Sequence, residues 1–108
     1  MGAVAQFQVI DSTGEVVGGG IKPYFATLHG WIFSNSGGSA YEVDFYKNTD
    51  PSGGSGPTAP SASGTKIFTI QVPANASKEF VFDSGIDFKY GIFAKASNAA
   101  VTGGVIWS

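Results

Sequence analysis

The chain has no cysteine and no arginine, and it holds one leucine (Leu28), one methionine (Met1) and one histidine (His29) among its 108 residues. Each shortage excludes something. Without cysteine there are no disulfides, no thiol catalysis and no thiolate metal site. All cations are lysines, and the net charge is −2 with a pI near 5.0. That composition argues against nucleic acid as a partner, because phosphate binding needs clustered cations and base readout leans on arginine. Charged residues make up only 13% of the chain while hydrophobic ones make up 43%, so the chain is too apolar to remain disordered. No run approaches the roughly 18 apolar residues of a membrane helix, and residues 1–6 lack the basic start and apolar run of a signal peptide.

What is present is a β palette. Val, Ile, Phe, Tyr and Trp dominate the apolar set, and glycine and serine supply turns. No segment long enough for a helix keeps an apolar 3.6-residue period without a Gly or Pro interrupting it. The expectation is one all-β domain spanning 1–108, an antiparallel β-sandwich of seven or eight strands, jelly-roll or immunoglobulin-like.

Alternation of side chains locates the strands. Residues 3–10 place Ala5, Phe7 and Val9 on one face and Gln6 and Gln8 on the other. A turn at 11–14 leads to a short return over 15–17 and then to Gly18, Gly19 and Gly20. Residues 24–34 carry apolar groups on both faces, as expected of a central strand or one covered on its outer side. Tyr41, Val43 and Phe45 alternate cleanly with Glu42, Asp44 and Tyr46. Residues 49–64 hold no large apolar side chain and read as a flexible loop projecting from the core. Phe68, Ile70 and Val72 mark the next strand, and Phe80 and Phe82 another. Asp83-Ser84-Gly85 reads as a turn, Phe88 to Ala94 as a strand, and 100–107 as the last one.

Chemistry is sparse. His29 has no adjacent nucleophile motif and reads as an ordinary strand histidine. Glu42 with Asp44, and Asp83 with Asp87, are the only carboxylate pairs worth weighing for glycoside hydrolysis. Both fall where solvated faces or turns are expected. Asp83 and Asp87 with backbone help are the nearest approach to a calcium site, without the calcium-loop pattern. The reading is therefore no enzyme, no catalytic or metal residues and no cofactor. Pro57-Thr58-Ala59-Pro60 matches a short peptide motif, a weak signal in a Pro/Ser/Gly loop, where a stiffened linker is the default reading. Asn75-Ala76-Ser77 is a glycosylation sequon read as accidental.

The second half has a recognisable order: Asn-Ser-Gly-Gly-Ser at 35–39, YEVDFYKNTD at 41–50, a Pro/Gly/Ser loop, IFTIQVPANASKEFVF at 67–82, SGIDFKYGIFAKAS at 84–97 and VTGGVIW at 101–107. From Leu28 to Trp107 this resembles small all-β capsid decoration (cement) proteins of tailed bacteriophages. Its connection at 98–100 is shorter than the insertion such relatives often carry. The resemblance implies a structural virion protein on the capsid surface. It would bind the major capsid protein and itself, as a homotrimer, with no nucleic acid or membrane partner. The alternative is a carbohydrate-binding or host-adhesion module of the phage tail or capsid surface, if Trp31, Tyr46 or Phe93 forms an exposed platform for a glycan.

The N-terminal segment is the candidate partner-binding element. Triple glycine at 18–20 nearly detaches it, so residues 1–20 read either as an arm or as the sandwich's own first strand. As an arm it would add Val4, Gln6, Phe7, Gln8 and Val9 to a neighbouring sheet and leave 22–108 folded without it.

Overall fold

A computed structural model describes residues 5–18, 24–48 and 60–108. Among the described residues eight strands run in order: β1 (Gln6–Val9), β2 (Glu15–Val16), β3 (Ala26–Asn35), β4 (Tyr41–Lys47), β5 (Thr65–Val72), β6 (Ala76–Phe88), β7 (Ile92–Ala96) and β8 (Val101–Trp107). They form two four-stranded antiparallel sheets, β1-β8-β3-β6 and β2-β7-β4-β5. Every sequential connection except β4–β5 crosses from one sheet to the other. That winding is a jelly roll, and it decides against the immunoglobulin-like alternative.

The core lies between the sheets and follows the alternation. Leu28 and Phe33 from β3 and Val105 from β8 meet Val43, Phe45, Val72 and Ile92 from the opposite sheet, all with no exposed surface. Each such side chain contributes about 1.5–3 kcal/mol by leaving water. The strand over 26–35 is central, paired with β6 on one side and β8 on the other. Trp31 joins the two sheets: its ring lies 6.1 Å from Phe45, 5.7 Å from Phe68, 5.6 Å from Phe80 and 5.4 Å from Phe82. Across β4 and β5, Phe45 and Phe68 are paired in register and stacked at 4.5 Å and 14°. Asn35 is the buried polar residue of the core. Its amide nitrogen donates to the carbonyls of Ser39 at 2.7 Å and Val72 at 3.0 Å, and its side-chain oxygen accepts from the Gly37 amide at 2.8 Å. One side chain thus holds the 36–40 turn to β5.

Two features differ from the sequence reading, and a third bears on a choice that reading left open. First, β6 does not end at 82 but continues through the expected turn at Asp83-Ser84-Gly85 as far as Phe88. Leu28 pairs with Ile86 and Gly30 with Val81, so His29 alone stands opposite the whole of 82–85. The local turn signal is absorbed as a wide bulge, with Gly85 at φ 75° against the His29 ring. The chain reverses later, where Gly91 at φ 98° donates to the Phe88 carbonyl. Second, the 49–64 loop is anchored at its end. Pro60 is fully buried beside Gly91, because its ring is apolar and needs no donor there, and Ser61 to Gly64 close a turn. Residues 49–59, including most of the Pro57 to Pro60 motif, lie outside the described residues. Third, β1 pairs antiparallel with β8 of the same chain, Gln6 with Trp107 through Val9 with Gly104. Residues 6–9 are thus an edge strand of the sandwich, the second of the two readings of this segment.

Candidate interaction surface

In the first sheet the registers define which residues share the solvent-facing side. One row across it reads Val9, Gly104, Ile32, Glu79; the next reads Phe7, Ile106, Gly30, Val81. Residues directly opposite in neighbouring strands lie on the same face. The exposures agree: Phe7 is 52%, Val9 63%, Ile32 40% and Val81 65% exposed. Gly30 and Gly104 keep the centre flat, and neither site admits a larger residue. A Cβ on Gly104 would fall on the Gln8 carbonyl oxygen, and one on Gly30 on that of Phe80. The flanking outward positions, Thr27, Ser34, Thr102 and Ser77, are neutral. Among the described residues paired across this face, charge enters on the edge strand β6, at Glu79 and Asp87, and Asp87 accepts from the Thr27 hydroxyl at 2.7 Å.

The second sheet presents a different surface. Its outward rows are Glu42 with Gln71, Lys95 with Asp44 and Thr69, and Val16 with Phe93, Tyr46 and Lys66. Asp44 accepts from the Thr69 hydroxyl at 2.6 Å and lies 3.5 Å from the Lys66 amine. One broad face of the molecule is thus charged and paired, and the other is apolar and uncharged across three of its four strands. An apolar face left open on a sheet is the kind of surface that marks a contact site.

The residues proposed for partner binding divide between the two sides of β1. Phe7 and Val9 belong to the apolar face. Gln8 turns the other way, and its carboxamide is used inside the fold: it donates to the Val16 carbonyl at 2.8 Å and accepts from the Gly18 amide at 2.7 Å. Gln6 is exposed on the same side as Gln8, and Val4 lies outside the described residues. Sequence reasoning missed Ile32, Val81 and Ile106 as members of the patch. The signal was there in the apolar groups on both faces of residues 24–34.

The candidate chemical groups do not converge. His29 Nε2 lies 2.7 Å from the Ser108 hydroxyl, which ties β3 to the end of the described chain. Asp83 and Asp87 stand at the bulge and below it, and Glu42 and Asp44 lie on the opposite sheet. Among the described residues no group of three or more His, Cys, Asp or Glu side chains could hold a metal ion. Asp11 is held below the usual carboxylate range chiefly by the Thr13 hydroxyl, which donates at 2.6 Å, with the Thr13 and Gly14 amides adding to it. Glu15 is pushed up, mainly by desolvation and then by the charge of Asp11. Asp11 belongs to the turn and Glu15 to the start of β2 just after it.

Nor do the aromatics form one platform. Trp31 faces inward from the first sheet. Tyr46 and Phe93 lie on the outer face of the second sheet, 6.1 Å apart and tilted by 54°. A groove of about 470 Å³ opens between the edge strands β5 and β6, lined by Trp31, Thr69, Ile70, Gln71, Lys78, Glu79 and Phe80. A smaller recess of about 270 Å³ lies at the β6–β7 turn, where Lys47, Asp87 and Lys89 share its wall. Comparison with protein-family models, with curated proteins and with solved structures finds no match to this chain.

Proposed function

We propose that this chain is a structural protein of a tailed-phage particle, a decoration protein that binds and reinforces the outer capsid. The observation that supports this reading is the contrast between its broad faces. A solvated antiparallel sheet ordinarily alternates apolar-in with polar-out, whereas the outer face of β1-β8-β3-β6 is apolar and nearly free of charge. Such a face is suited to burial in an assembly. The remaining surface offers turns and a charged sheet face, which suit contact with other molecules. The resemblance of residues 28–107 to decoration proteins supplies the particle; the fold supplies a rigid body with a face to bury.

The test is quantitative mass spectrometry of purified virions from the phage that encodes the chain. Copy numbers on the scale of the major capsid protein, with cryo-electron microscopy density for this sandwich on the capsid exterior, are the expected result. A few copies per particle would assign the chain to a tail or portal, and absence from particles would remove the proposal.

A further inference from the structure

We infer that the apolar outer face of β1-β8-β3-β6 is covered by the same face of a second copy, so that two sandwiches stack back to back as a two-fold dimer. The inference rests on the reading above only in that the face is buried in use; it names what buries it.

The first argument is shape. Gly30 and Gly104 leave the middle of the face without side chains, and Phe7, Val9, Ile32, Val81 and Ile106 surround them. A flat sheet face packs well on another flat sheet face, with side chains interdigitating about 10 Å apart and strands aligned to within about 30°. This face is itself a surface of that shape.

The second argument is charge. A two-fold contact sets residue i of one copy against j of the other and j against i, so a face carrying one sign of charge would meet like charge. Here the outward positions of β1, β8 and β3 carry no carboxylate or amine, and Glu79 and Asp87 sit on the β6 rim alone. A two-fold axis parallel to the strands lays β6 of one copy over β1 of the other. It separates the two sets of carboxylates by the width of the sheet. The charged faces of the second sheets, with Asp44, Lys66 and Lys95, then point outward on both sides of the dimer.

The third argument is area. Four strands about 4.8 Å apart and the seven residues of β8 at about 3.4 Å each give a face of roughly 19 by 24 Å. Counting side-chain relief, two such faces bury on the order of 1,000 Å² in total, the lower end for specific association. A dimer of micromolar strength is the expectation, not an obligate one.

The experiment is sedimentation velocity and light scattering on the purified full chain, from about 1 to 100 µM, a range that spans a micromolar equilibrium. The wild-type chain is expected to approach twice its 11.1 kDa mass at the upper end. Val9→Glu, which sets a carboxylate against Glu79 of the other copy, and Val81→Lys, which sets an amine against Phe7, are expected to weaken dimerisation about a hundredfold, each charge entering the interface twice. Gln71→Lys, on the outer face of the other sheet, is expected to leave it unchanged. If a face variant folds poorly, concentration-dependent NMR shifts of wild-type Phe7, Val9, Ile32 and Val81, absent from Glu42 and Lys95, read the same contact. A wild-type monomer at 100 µM, a trimer, or a dimer indifferent to Val9→Glu and Val81→Lys would overturn the inference. None of these results bears on whether the chain is found on virions, so the two proposals fail separately.

Discussion

Ile10 and its two apolar neighbours on β1 give the sharpest test of how the N-terminal strand is set. Ile10 is 1% exposed and donates its amide to the Gly103 carbonyl, while Phe7 and Val9 are 52% and 63% exposed on the opposite side of the strand. Ile10→Ala removes a fully buried branched side chain and leaves a cavity at the sandwich edge, at a cost of about 2–4 kcal/mol. In a domain of this size that lowers the thermal midpoint by about 10–25 °C. Phe7→Ser and Val9→Ser, made singly, alter surface that water already reaches, and each is expected to stay within about 0.5 kcal/mol of the wild type. The assay is urea denaturation followed by tryptophan fluorescence and far-UV circular dichroism. It is run near 1 µM so that association through the apolar face does not add to the measured stability. Unchanged slopes with a midpoint shifted only for Ile10→Ala would match the structure. Losses at Phe7 and Val9 equal to that at Ile10 would mean that the strand buries its other side, and the assignment of the apolar face would fall with it.

Asn35→Ala is expected to cost about 2–4 kcal/mol, since it leaves the Val72 carbonyl buried without its donor and frees the 36–40 turn; a loss under 1 kcal/mol in the same denaturation assay would show that the bonds contribute little. By NMR titration, Asp11 is expected to protonate below and Glu15 above their ordinary values. The Asp11 contribution to stability is present at neutral pH and lost as pH falls through its lowered pKa, whereas protonating Glu15 relieves an unfavourable charge, so the two oppose each other in acid. Asp11→Asn is expected to bring Glu15 down part of the way, because desolvation remains, and an unmoved Glu15 would discount the coupling.

The period-two pattern alone settled which side chains travel together. Tyr41, Val43 and Phe45 do share the inner face of β4, Phe68, Ile70 and Val72 that of β5, and Phe7 and Val9 lie together apart from Gln8. This much is local, because successive residues of a strand must point to opposite sides. Which side is inside is not local. For β1 the apolar pair faces outward and the glutamine inward, since Gln8 finds the Val16 carbonyl and the Gly18 amide across the sandwich edge, and Ile10, the next inward residue, fills the core. Only the tertiary structure could supply that, as it could the jelly-roll order, which joins β1 to a partner almost a full chain length away. The bulge at 82–85 has the same cause. Asp83-Ser84-Gly85 carries every local mark of a turn, but pairing with β3 on both sides of it holds β6 in line and moves the reversal to Gly91. The apolar face was legible in part from the two-sided pattern of residues 24–34. Its extent was not, because the patch is assembled from β1, β3, β6 and β8, and only their registers bring Phe7, Ile32, Val81 and Ile106 onto one surface.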